Sequence, residues 1–224
     1  MADSRPQEFS HAVWHVMPHG APSAQRHCTR CDAVRAFTPT RNFRVNSQQK
    51  RIDVWLVYRC KACDETWNRP ILERGSLNDL DAERFERLQK NDPQLAMDYA
   101  FDVADLRARG ISVDADLPFT IQAECISNGA NAAALWITIA LARPIGTRLD
   151  RFLASGLAVS RSRIASWWLS GTLRVVPHRS NALQRPPHDG QVIAVESDAA
   201  VRAARHHAGS ALRRDARLAL RADQ

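Results

Sequence analysis

Two Cys-x-x-Cys pairs, Cys28-Thr29-Arg30-Cys31 and Cys60-Lys61-Ala62-Cys63, are the residues whose type and spacing point most directly to chemistry. Each pair puts two sulfurs on one side of a tight knuckle, and two facing knuckles complete the tetrahedron that structural zinc prefers. With Cys28, Cys31, Cys60 and Cys63 all ligating, no position stays open for water or substrate. Such a metal would staple a fold and do no hydrolytic chemistry. The competing readings are two disulfides or a thioredoxin-like redox pair. Residues 1–27 hold no apolar signal segment, so the thiols are expected to be reduced and the protein cytoplasmic. His27 beside Cys28 is expected to be a bystander, because four sulfurs already fill the shell.

The elements that must position the sulfurs are also legible. Ala36 to Val45 and Ile52 to Cys60 are rich in β-formers and flank a polar stretch from Asn46 to Arg51, which reads as a hairpin between the knuckles. That is the layout of a zinc ribbon. Trp14 and Trp67 are expected to cover this small lobe, and Ala12 to Val16 to form an edge strand.

Beyond the ribbon, Asp79 to Asn91 reads as a helix with Leu80, Phe85 and Leu88 on one side. Asp92-Pro93 opens a second, with Asp92 as N-cap and Gly110 as its stop. Its acids, Asp98, Asp102 and Asp105, read as a solvated face. Leu117 to Glu124 and Leu135 to Ala142 read as an antiparallel pair joined by turn chemistry at Ser127 to Asn131. Cys125 reads as a buried small hydrophobe.

The chain of 224 residues carries a net charge of +7, and 45% of it is hydrophobic. Nothing is long and apolar enough for a membrane span, since the longest apolar run, Ala130 to Ala142, is interrupted by Asn131 and Thr138. The charge is unevenly placed. Residues 1–69 carry 11 basic and 6 acidic side chains, residues 70–124 carry 6 and 12, and residues 125–224 carry 14 and 6. Two basic lobes joined by an acidic middle suit a polyanionic partner at the lobes.

The second basic lobe contains two short helices. Leu149, Phe152, Leu153 and Leu157 make one apolar stripe; Ile164, Trp167 and Trp168 make another, with Ser160 as N-cap and Gly171 as stop. Strands Leu173 to Val176 and Val192 to Val195 follow. Arg148 and Arg151 lie on the first helix, and Arg161 and Arg163 in the first turn of the second. Cations there oppose the helix dipole, which makes sense if a phosphate rests on them.

Arg148-Leu149-Asp150, Ser160-Arg161-Ser162, Gly171 and Asp189-Gly190-Gln191 resemble the small RNA-binding module first described in the fourth small-subunit ribosomal protein. The resemblance implies that Arg148, Arg151, Arg161 and Arg163 grip structured RNA; Arg174 on the following strand is also expected to contact it. Val176-Pro177 and Trp167-Trp168 depart from the module's usual pattern. The whole chain, over roughly residues 12–196, resembles an uncharacterised bacterial family, domain of unknown function 1062. The cysteine knuckles, Asn42-Phe43-Arg44-Val45-Asn46, Leu56-Val57-Tyr58-Arg59-Cys60, Thr66-Trp67-Asn68 and Tyr99-Ala100-Phe101-Asp102 carry that resemblance, which brings no activity with it.

The expected architecture is therefore α+β: a zinc ribbon over residues 1–70, acidic helices and a hairpin over 71–146, an RNA-binding-like module over 147–196, and a basic Ala- and Arg-rich tail over 197–224. The expected function is non-enzymatic binding of structured RNA or a ribosomal particle, with structural Zn2+. A DNA-binding regulator and a protein-docking adaptor are the alternatives. No nucleotide loop and no nucleophile-base constellation points to an enzyme.

Overall fold

The computed structural model describes residues 9–48, 51–76, 80–127, 134–196 and 212–213. The chain is α+β and forms two compact units: Ala21–Ala115, and a second made of Met1–Gly20 with Asp116–Gln224. Among the described residues, no helix is long and apolar enough to cross a membrane.

The contiguous unit is built on a five-stranded sheet. Its strands are β2 (Ser23–Cys28), β3 (Ala33–Gln48), β4 (Arg51–Cys60), β5 (Thr66–Ser76) and β6 (Ser112–Asp114), in the order β5-β4-β3-β2-β6. β3 and β4 form the antiparallel hairpin expected between the knuckles, from Phe37 opposite Cys60 to Gln48 opposite Arg51. β4 shows the physical basis of the layer. Ile52, Val54, Leu56, Tyr58 and Cys60 are buried, while the residues between them are half-exposed or exposed. This period of two follows from the pleat, which sends alternate side chains to opposite faces.

Three helices cover the buried face: α1 (Ala82–Gln89), α2 (Pro93–Phe101) and α3 (Val103–Ala108). Leu88, Leu95, Ala96 and Ala100 complete one core with Ile52, Val54, Leu56 and Tyr58. Asp92 caps α2 by accepting the Leu95 amide at 2.7 Å, as expected. The helix expected to run on to Gly110 instead divides at Asp102. That residue leaves helical geometry and caps α3, accepting the Asp105 amide at 3.0 Å.

The acids of this stretch are not simply a solvated face. Arg69 is fully buried, and its guanidinium donates to Asp105 Oδ2 at 2.8 Å, the Tyr99 carbonyl at 2.5 Å and the Tyr58 hydroxyl at 3.3 Å. The buried cation draws Asp105 inward. Burial would raise the Asp105 carboxyl, but hydrogen bonds and charge from Arg69 and Arg109 outweigh it and hold it below its ordinary value.

In the other unit, β1 (Phe9–Pro18) lies between β7 (Phe119–Ser127) and β8 (Ala134–Leu141), antiparallel to the first and parallel to the second. With β9 (Leu173–Val176), β10 (Val192–Val195) and the two-residue β11 (Leu212–Arg213), the order is β11-β7-β1-β8-β10-β9. Two expectations fail here together. β7 and β8 do not pair with each other, because β1 takes the place between them, and β1 is an interior strand and not an edge.

Trp14 accordingly covers no ribbon. It is buried in this unit against Phe152, with ring centroids 5.7 Å apart, on α4 (Leu149–Gly156). The fit is close enough that a Cβ on Gly156 would lie 2.2 Å from the Trp14 ring. α5 (Arg161–Leu169) packs beside α4, its Ser160 Oγ accepting the Arg163 amide at 3.1 Å. Cys125, expected to be buried, is exposed next to a register shift in β1 and β7.

The unit borders fall after residues 20 and 115 rather than 70 and 146, because β1 pairs with late strands while α1 to α3 pack on the early sheet. Most of the tail from 197 onward, and the whole stretch between β7 and β8 with the expected turn residues Asn128 to Asn131, lie outside the described residues.

Candidate functional site

The two knuckles are equivalent in backbone construction. Cys28 ends β2 and Cys60 ends β4; Cys31 and Cys63 lie in the turns that follow. Each turn passes through an aspartate of positive φ, Asp32 at 49° and Asp64 at 61°, a conformation that Asp tolerates better than most side chains. The second knuckle is tied to the sheet by Lys61 N–H to Ala36 carbonyl and Cys60 N–H to Glu65 carbonyl, both 2.9 Å.

These turns bring all four Sγ atoms within 4.8 Å of one another. Cys28 and Cys63 are 3.5 Å apart and Cys31 and Cys60 4.0 Å, too far for a disulfide bond, and no cysteine of the chain is in one. A tetrahedron of sulfurs ~2.3 Å from a central ion has edges of ~3.8 Å, so the spacing fits a metal. Cys28 and Cys60 are buried, while Cys31 and Cys63 are half-exposed.

Proton affinities diverge across the cluster. At Cys60, burial acts upward, but the amides of Ala62 and Cys63 and hydrogen bonds from neighbouring sulfurs bring the thiol down to about 7. At Cys63 the Glu65 amide acts downward, but burial and the other three sulfurs push it up to about 12. Four touching thiols cannot all ionise alone, and a divalent cation supplies the charge that would let them. The four cysteines can hold a metal ion, with no protein ligand position left open. His27 points elsewhere, its Nε2 3.4 Å from Asp32 Oδ1.

The second candidate site is the α4–α5 surface. Asp150, nearly buried between the helices, gathers three of the expected arginines. Its Oδ2 accepts from Arg161 at 2.7 Å and Arg148 at 3.2 Å, and its Oδ1 from the Arg151 amide at 2.8 Å. The Arg151 guanidinium reaches Asp116 at 2.8 Å, a carboxylate also held by Thr147 at 2.5 Å. All three guanidinium side chains remain about half exposed. The anion facing Arg161 at the start of α5 is therefore supplied, at least in part, by the protein's own Asp150.

Arg163 is exposed on the same turn of α5. Arg174 is not brought into this group. Leu173 and Val175 of β9 are buried in the core that the helices share, so Arg174 stands on the opposite sheet face, paired with Glu196. Sequence reasoning missed Asp116 and Asp150 as counterions. Asp150 lies within Arg-Leu-Asp and was open to inspection; Asp116 is 35 residues from Arg151 and gives no local signal.

No curated protein and no solved structure matches the chain. A family model does match, over residues 45–179, which include the second knuckle and both helices but begin after Cys31. That span is more than half of the chain, which therefore belongs to the family described as Protein of unknown function (DUF1062).

Proposed function

We propose that the protein is a non-enzymatic binder of structured RNA or of a ribosomal particle, in which Zn2+ on Cys28, Cys31, Cys60 and Cys63 makes a ribbon of β2 to β4. In this reading α4, α5, β9 and β10 form a module like that of the fourth small-subunit ribosomal protein. Zinc is the best match to an all-sulfur tetrahedral donor set in a reduced compartment. When bound it supplies structure only, while the chain's residues provide the RNA surface.

The observation that carries the RNA reading is the clustering of Arg148, Arg151 and Arg161 around Asp150, with Arg163 beside them. Four cations against Asp116 and Asp150 leave the surface with a net charge of about +2 by simple counting. The carboxylates hold the guanidiniums in place, so less side-chain entropy is lost when phosphate arrives. The test is a titration of hairpin RNA by fluorescence anisotropy at several salt concentrations. Arg161→Glu combined with Arg163→Glu is expected to flatten the slope of log K against log salt by about 1–2. An unchanged slope removes the site, and stronger competition by duplex DNA favours a helix-turn-helix regulator instead.

A further inference from the structure

The five-stranded sheet has a second face that its helices leave uncovered. α1 and α2 pack with Ile52, Val54, Leu56 and Tyr58, whereas Trp55 and Val57, pointing the other way, take no part in that core. Strand alternation and register place Arg51, Trp55 and Arg59 of β4 on this face, with Arg44 of β3 opposite Trp55. Asn46 and Asn68 join it through their partners Asp53 and Val57.

The composition of this face is specific. Arg44, Arg51 and Arg59 are exposed, and none makes an ion pair among the described residues. Asp53 is the one carboxylate on the β4 alternation, and its Oδ1 is occupied by the Arg74 amide at 2.7 Å. Trp55 is half-exposed, with the Arg44 guanidinium 5.9 Å from its ring centroid. Trp and Arg suit protein-docking faces too, so the net positive charge of this face decides between the partners. Three unpaired guanidiniums, an indole and carboxamides match what phosphates, bases and base edges require.

We infer that this face binds single-stranded RNA, one base stacking on Trp55 while Arg44, Arg51 and Arg59 contact the flanking phosphates. The inference takes its polymer from the RNA reading above but uses a different unit and a different conformation of the strand. An open sheet face admits splayed bases, whereas the grooves of a helix do not offer their base faces.

The experiment titrates a fluorescently labelled 12-nucleotide oligouridylate, and separately a hairpin RNA, with the full-length protein. Trp55→Leu is expected to weaken the single strand about tenfold or more. Arg44→Gln, Arg51→Gln and Arg59→Gln together are expected to reduce the salt slope by about 2. Both leave hairpin binding unchanged. Trp55→Tyr, which keeps a stacking ring, should restore most of the affinity, and it serves as the readout should the leucine variant fail to fold. Ultraviolet crosslinks of the wild type should fall within residues 44–59.

Failure of both sets of variants to alter oligouridylate binding, crosslinks confined to other segments, or tighter binding of single-stranded DNA would each overturn the inference. Loss of hairpin binding in the Arg161 and Arg163 variants alone bears on the α4–α5 surface and leaves this face standing.

Discussion

Arginines are held in two different ways in the two units. Around α4 and α5, Arg148, Arg151 and Arg161 each lie against Asp150 or Asp116, while on the open sheet face Arg44, Arg51 and Arg59 make no ion pair among the described residues, with Asp53 the one carboxylate on their β4 alternation. The first arrangement fixes direction at the expense of net charge. The second keeps the full charge and holds the side chains by no ion pair among the described residues, Arg44 lying over the Trp55 ring. Paired guanidiniums suit a rigid partner that presents phosphates at set positions; unpaired ones suit a flexible strand that can adjust to them. A third arrangement, Arg69 buried on Asp105, serves the fold alone.

The largest effect expected concerns the unit with the open face. Removing the metal with a strong chelator should lower the melting temperature of the Ala21–Ala115 unit by more than about 20 °C. Structural zinc contributes on the order of 10 kcal/mol, and each kcal/mol is worth about 4–8 °C in a domain of this size. Elemental analysis of reduced protein should find one zinc per chain. A metal-free preparation with the same melting curve would remove the ribbon from the comparison. The unit also has a core of its own, including Ile52, Leu56, Leu88 and Leu95, so the knuckle end should loosen first in hydrogen exchange.

A smaller loss should follow Asp105→Asn. Breaking a buried pair leaves Arg69 without its countercharge, and because carbonyl acceptors remain and Asp105 is partly exposed, about 2–3 kcal/mol in denaturant melts is expected. The pH dependence has a definite sign. A carboxyl held below its unfolded value contributes stability fully above about pH 4, and that contribution is lost as pH falls through the lower folded value. Acid titration of the wild type should therefore show a destabilisation that Asp105→Asn lacks.

The smallest effect tests the paired arginines directly. Asp150→Asn should cost about 1–3 kcal/mol in the other unit, because two charged contacts weaken. It also raises net charge by one. If pairing sets direction, hairpin RNA affinity falls despite the extra charge; a rise in affinity would mean that the carboxylate only masks the arginines.

Local chemistry was legible in the sequence wherever neighbours along the chain decide it. The sulfur knuckles, the β3–β4 hairpin, the Asp92 and Ser160 caps and the limits of β9 and β10 all follow from spacing, capping groups and alternation within a few residues. What escaped depends on partners far away. Nothing near Ala12 to Val16 announces that this strand lies between β7 and β8. Nothing near Arg69 announces that it is buried on Asp105, 36 residues later. The Asp102 break was masked by an apolar period that continues through it, since Leu106 remains buried on the far side.

The placement of β1 bears on the order in which the protein can be made. Its two neighbours in the sheet are synthesised more than 100 residues later, so during translation the first strand must wait, unmatched, while the contiguous Ala21–Ala115 unit emerges and closes on its own. Shortening the chain at either end therefore injures the same unit, and a C-terminal fragment beginning at Asp116 lacks both the middle of its sheet and the indole that rests on Gly156.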